Sequence, residues 1–175
     1  MKMCKKRTKR LLKEYYEKEA LGYHHQYEMY AKNNIDSWRH KSRFGIIPSF
    51  MKKVERINIF LDVGCAEGYY LHLATELYGC QCNVIGVDVA ANYLKKAAKN
   101  HHENMDVIVA DAEYLPLRGK CVDMVLCSGV LEHLPSALTA LDEALRVSSP
   151  HIIVSFPGPR QPHGIAYPLM TQLAR

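Results

Sequence analysis

The chain has 175 residues, 48% of them hydrophobic, with 23 Lys+Arg against 18 Asp+Glu and a formal net charge of +5. That length suits a single domain with a real core, and no run approaches the ~20 consecutive apolar residues of a membrane span. Met1-Lys2-Met3-Cys4-Lys5-Lys6-Arg7 is basic but has no apolar stretch behind it, so it does not read as a secretory signal.

Charge is uneven. Residues 1–60 hold 15 basic against 6 acidic side chains, and residues 61–175 hold 8 against 12. Lys2 to Lys13 carries seven positive charges and no acid. It reads as a solvated, frayed tail, or as an arm for an anionic partner such as nucleic acid or a membrane surface. No aromatic residue interleaves with it, which argues against nucleic acid. Of the six cysteines, Cys65, Cys121 and Cys127 fall in or beside expected strands, and Cys80-Gln81-Cys82 is not a C-x-x-C. Reduced thiols in a cytoplasmic protein are the expectation, with no metal site.

Leu12, Tyr16, Ala20, Tyr23, Tyr27 and Tyr30 recur at steps of three and four, one face of a first helix closed by Asn33-Asn34. Asp36 or Ser37 is placed to cap a second helix that carries Trp38 and breaks at Pro48. A third is expected over 49–56. Strands are then expected near 58–63, 83–88, 106–110, 122–127 and 151–156, with helices near 67–78, 91–100 and 136–147. Continuous apolar strands alternating with helices imply an α/β, Rossmann-like, doubly wound parallel sheet of about five strands. The organisation expected is a basic tail with cap helices over 1–56, a core over 57–157 and a Pro/Gly-rich tail over 158–175, all one domain.

Leu61-Asp62-Val63-Gly64-Cys65-Ala66-Glu67-Gly68-Tyr69-Tyr70 is the most informative stretch. An apolar run feeds a turn with glycines at 64 and 68 and then a helix. Such a turn admits positive φ and close backbone approach to a ligand. Asp88 ends the next apolar run, 20 residues after Gly68, where a carboxylate can grip two ribose hydroxyls. Tyr69 stands where a dinucleotide fingerprint needs its third glycine, and there is no G-x-x-x-x-G-K-[ST]. The site therefore reads as one for an adenosine-containing ligand.

Four segments in order resemble the class I S-adenosylmethionine-dependent methyltransferases, in their small-molecule type 11 group. Asp62 through Gly68 is similar to the acidic residue and G-x-G-x-G of the first motif, with Ala66 for the middle glycine. Val107-Ile108-Val109-Ala110-Asp111-Ala112 resembles strand three and its Asp-Ala pair. Val122 through Leu134 resembles strand four and V-L-E-H-L, and Leu138 to Ser155 the next helix and strand.

The resemblance implies S-adenosylmethionine as cofactor and methyl transfer to a small-molecule or lipid-like acceptor, with cap helices over the substrate. Carried over residue by residue, Asp62 would accept, directly or through water, from the methionine ammonium, and Gly64, Ala66 and Gly68 would line the carboxypropyl chain and ribose. Asp88 would bind the ribose, Val89 would pack on the adenine, Asp111 and Ala112 would read the adenine edge, and Ser128 would lie near the sulfonium. His133, beside Glu132, is the candidate base, or else it only packs at the start of the next helix. Tyr15, Tyr23 and Tyr27, with His24 and His25, could line an aromatic cap or simply form core.

The resembled fold has seven strands, and nothing after 157 alternates as a strand would. The chain thus reads as a fragment, or as lacking the terminal hairpin. Strand five would then be an open edge, inviting a homodimer or a helix over 167–175. A truncated, non-catalytic cofactor-binding scaffold is the alternative reading.

Overall fold

A computed structural model of the chain describes residues 2–22, 45–100, 102–157 and 166–172. Helix α1 (Lys2–Gly22) is followed by a helical stretch over 45–51, α2. Then come β1 (Ile59–Val63), α3 (Tyr69–Tyr78), β2 (Asn83–Asp88), α4 (Ala91–Ala97), β3 (Met105–Val109), β4 (Val122–Ser128), α5 (Ala137–Val147), β5 (Ser148–Pro157) and β6 (Ala166–Gln172). Short 3₁₀ turns lie at Ala98–Asn100 and Leu131–His133.

The six strands form one sheet in the order β3-β2-β1-β4-β5-β6. β1 to β5 are parallel and β6 runs antiparallel to β5. One face is buried under α2, α3 and α4 through Ile47, Met51, Leu71, Ala74 and Leu94, packed against Phe60, Val84, Met105, Met124 and Leu126. The other is buried under α5 through Ala140, Ala144 and Val147, against Leu61, Val63, Val125 and Ile152. Burial on both faces is why these strands read as unbroken apolar runs. Strand order reverses between β1 and β4, and such a sheet leaves its crevice there, at the carboxyl ends. Val63 pairs with Val87 and with Cys127, so β1, β2 and β4 end level and their following loops meet.

Several expectations need correction. Strand five is not an open edge: β6 pairs with it from His151↔Gln172 to Pro157↔Ala166. The segment expected to form a helix over 167–175 is a strand over its described part. Pro168 disguised it, since proline breaks a strand pattern yet is tolerated on an outer strand where no ladder hydrogen bond is needed. The argument for a homodimer through an unpaired β5 falls with it.

The helix placed at 49–56 instead covers 45–51 and includes Pro48. Proline gives up only its own N–H, and the Pro48 carbonyl still accepts from Lys52 N at 3.0 Å. The basic N-terminus is helical from Lys2, and from Lys9 onward the helix is docked on the core. Ala20 is fully buried and packs with Ala90, Tyr93, Tyr16 and Ala66. Tyr23, His24, His25, Tyr27, Tyr30, Asp36, Ser37 and Trp38 lie outside the described residues.

Candidate active site

The turn between β1 and α3 is built as its glycines suggest. Gly64, Ala66 and Gly68 all have positive φ, at 73°, 47° and 85°. Gly64 N and Cys65 N both donate to Val87 O, at 2.7 and 3.0 Å, and Gly68 N donates to Cys65 O at 2.9 Å. A Cβ at Gly68 would stand 3.1 Å from Ala97 Cβ, so that glycine lets α3 start hard against α4. Buried Glu67 fixes the same corner by accepting from Lys96 Nζ at 2.9 Å.

Asp88 ties the turn to the end of β2. Its Oδ2 accepts from Ala66 N at 3.0 Å, and its Oδ1 accepts from Ala90 N at 2.9 Å. Ala66 holds an uncommon φ for a residue with a Cβ, and this hydrogen bond helps to hold it there. Burial raises the Asp88 pKa, partly offset by the N–H groups of Ala90, Ala66 and Val89. Three N–H groups against about four lone-pair sites leave the carboxylate acceptor capacity for a ligand hydroxyl.

Asp62 lies beneath the turn, 2% exposed, and does not reach the cavity wall. Burial, and then the charge of Asp88, raise its pKa well above 3.8. An acid whose pKa rises on folding loses stability as pH climbs through the folded value, and the loss is absent below the unfolded value. Asp62→Asn should therefore stabilise the protein at neutral pH, the gain shrinking towards pH 4. Urea melts at pH 7 and pH 4 check this; an equal or reversed effect at the two pH values would refute it.

A cavity of about 560 Å³ opens at the carboxyl ends of the strands, under α1. Gly64, Ala66, Asp88, Val89, Asp111, Ala112, Ser128 and His133 all line it; of the expected site residues only Asp62 and Gly68 do not. Ser128 Oγ pairs with Ser155 Oγ at 2.8 Å. Asp111 Oδ1 accepts from Glu113 N at 2.9 Å and so shapes the loop after β3. His133 is not part of α5 but sits in its own 3₁₀ turn. Its imidazole is half exposed, edge-on to Tyr16 at 6.0 Å, with Nε2 4.0 Å from Glu132 Oε1.

Sequence reasoning missed several lining residues. Lys9, Leu12, Tyr16 and Glu19 come from α1, and Tyr70 and Tyr93 from α3 and α4. Lys9 stands three residues before Leu12 and seven before Tyr16, so the helical stripe already placed it on the inward face. Helix α1 is pinned at three places. Lys9 bonds Asp111 and Glu113, Glu17 accepts from Ala91 N and Asn92 N at 2.9 and 3.0 Å, and Tyr93 OH donates to Glu19 at 3.0 Å. Burial, then the Glu19 charge, push the Tyr16 hydroxyl up to about 12, so it stays a neutral donor.

The donor set fits an adenosyl sulfonium. Asp88 and Asp111 present carboxylate acceptors to the cavity, the turn offers close backbone approach, and an acidic wall suits a cationic ligand. Among the described residues no group of three or more His, Cys, Asp and Glu could hold a metal ion, and no helix is long and apolar enough to cross a membrane.

Residues 61–155 match the family model described as a methyltransferase domain. The chain is 31% identical over 94 residues to the arsenite methyltransferase of Halobacterium salinarum, covering 51% of this chain and 24% of that protein. It is also 31% identical over 107 residues to the tRNA (carboxymethyluridine(34)-5-O)-methyltransferase of Arabidopsis thaliana, covering 59% of this chain and 24% of the relative. The chain spans about half the length, or less, of the curated relatives it matches. In fold it is similar to magnesium protoporphyrin IX methyltransferase from Synechocystis PCC 6803, solved with bound S-adenosylmethionine. The TM-score is 0.69 at 18% identity, over 91% of this chain and 78% of that one. The matched motifs and the six-stranded sheet that carries them make this chain a member of the methyltransferase domain family, of the S-adenosylmethionine-dependent class I type.

Proposed function

We propose that the chain binds S-adenosylmethionine in the α1-covered cavity and transfers its methyl group to a small-molecule or lipid-like acceptor. The observation that carries this reading is the convergence of the glycine turn, Asp88 and Asp111 on one cavity. Asp88 takes the ribose hydroxyls with the acceptor capacity left by Ala66, Val89 and Ala90. Asp111 and the Ala112 backbone read the adenine edge, and Val89 packs on its face. Asp62, beneath the turn, acts on the ligand ammonium through the turn backbone or a water. The cofactor supplies a methyl group already activated by a positive sulfur. The protein then mainly aligns acceptor and methyl and excludes water, which α1 does with Leu12, Tyr15 and Tyr16 on the cavity wall. His133 takes the proton when the acceptor is a hydroxyl or an acidic carbon.

A cavity walled in part by tyrosines, Leu134 and Pro135 supports a small or lipid-like acceptor. Peripheral contact with an anionic surface through the basic start of α1 is compatible with that class. Isothermal titration with S-adenosylhomocysteine tests the donor half, and a screen of extracts with isotopically labelled donor tests the acceptor half. Asp88→Ala should weaken binding by about 1.5–3 kcal/mol, the range for a charged hydrogen-bonding group lost from a buried site. Unchanged affinity would remove Asp88 from the ribose.

A further inference from the structure

The ion pair made by Lys9 is the least expected contact in the cavity. Lys9 Nζ lies 2.7 Å from Asp111 Oδ2 and 2.8 Å from Glu113 Oε2, across 102 residues of sequence in the first case. It also stands 4.7 Å from the centroid of the Tyr114 ring. The Glu113 side chain is only 4% exposed, with Oε1 accepting from Ser136 N at 3.2 Å. Both Asp111 oxygens are thereby fixed, Oδ1 by the Glu113 N–H and Oδ2 by Lys9. Burial lowers the Lys9 pKa, but hydrogen bonds and charge from Asp111 and Glu113 outweigh it, and the net shift is upward.

We propose that Lys9 is a positioning residue for donor recognition: from the lid helix it holds the Asp111 carboxylate in the orientation that reads the adenine amino group. The inference rests on the donor reading above. Two fixed hydrogen bonds leave the carboxylate one way to present its remaining lone pairs to the cavity. Without Lys9, Oδ2 is free to turn to solvent, because the Asp111 side chain is 32% exposed. Donor selectivity is then set partly by whether α1 is docked, and the lid becomes a component of the purine-reading site as well as its cover.

The test titrates the 175-residue chain with S-adenosylhomocysteine and with its inosine counterpart, in which the amino donor is replaced by an oxo acceptor. Wild type should prefer the adenine form. In Lys9→Met, adenine-form affinity should fall about tenfold, the inosine form should change little, and the preference should collapse. Lys9→Arg should restore it, since an arginine fork also donates to two carboxylates. If Lys9→Met fails to fold because buried Glu113 loses its counter-charge, Lys9→Met with Glu113→Gln removes both charges and the same titrations apply. Equal weakening of both ligands would assign Lys9 a merely structural role and overturn the proposal. Tighter binding of the adenine form would overturn it too, by showing that Lys9 competes with the ligand. Failure of wild type to bind either ligand would sink the donor reading and this inference together, whereas binding with unaltered selectivity in the variant sinks this inference alone.

Discussion

Gly64→Val is expected to abolish donor binding, with affinity reduced by about 10³-fold or more and the sheet still formed. Two costs coincide. Gly64 has φ +73°, and a β-branched residue in that region costs roughly 1–3 kcal/mol. A Cβ there would also run into the Val130 side chain, with Cγ1 at 3.3 Å and Cγ2 nearer, and overpacking of this kind costs about 1–3 kcal/mol. Relief by moving the turn would carry away the N–H groups of Gly64 and Cys65, both bonded to Val87 O. The ligand surface at Ala66 is tied to the same turn through Asp88. Calorimetry with S-adenosylhomocysteine, beside circular dichroism, makes the measurement. Val130→Ala combined with Gly64→Ala separates the steric part from the backbone part. Retained binding in Gly64→Val with a retained fold would show that the turn is not where the ligand approaches.

His133→Gln is expected to lower turnover by about 10²–10⁴-fold for an acceptor that must lose a proton, while leaving donor affinity unchanged. Glutamine keeps a polar side chain of similar reach but cannot take up a proton at neutral pH. The imidazole lines the cavity, half exposed, with Tyr16 at its edge and the Glu132 carboxylate 4.0 Å from Nε2. For an acceptor that is already an anion, the same substitution should cost little, because no proton has to leave. Measured across acceptors of both kinds, a uniform loss would mean that His133 acts by packing against Tyr16 and not as a base.

Much of the core was legible before any coordinates. Strand and helix positions from residue 58 to residue 156 follow from apolar runs, glycines and acidic strand ends, because a parallel sheet buried on both faces writes its strands as uninterrupted apolar stretches. The glycine turn was readable for the same kind of reason: positive φ and tight packing on α4 leave few residue types able to occupy it. Position after a strand brought Gly64, Asp88, Asp111 and Ser128 to one crevice, since loops that follow strands of a parallel sheet end at one edge; the resemblance added Ala66, Val89, Ala112 and His133.

The tertiary structure alone decided the rest. Composition showed Lys2 to Lys13 as a block of charge but not where that charge goes. Only the docking of α1 brings Lys9 to Asp111 and Glu113, and ion pairs of that sequence separation leave no local pattern. Asp62 reads like a ligand-facing carboxylate, yet strand pairing places it beneath the turn, where burial dominates its chemistry. β6 was hidden because its proline and the Pro/Gly-rich sequence before it defeat a local strand pattern, although it pairs with the strand next to it in sequence. Local periodicity determined the elements and the turn. Contacts between separate segments, which depend on the packed geometry, decided what closes the sheet and what covers the site.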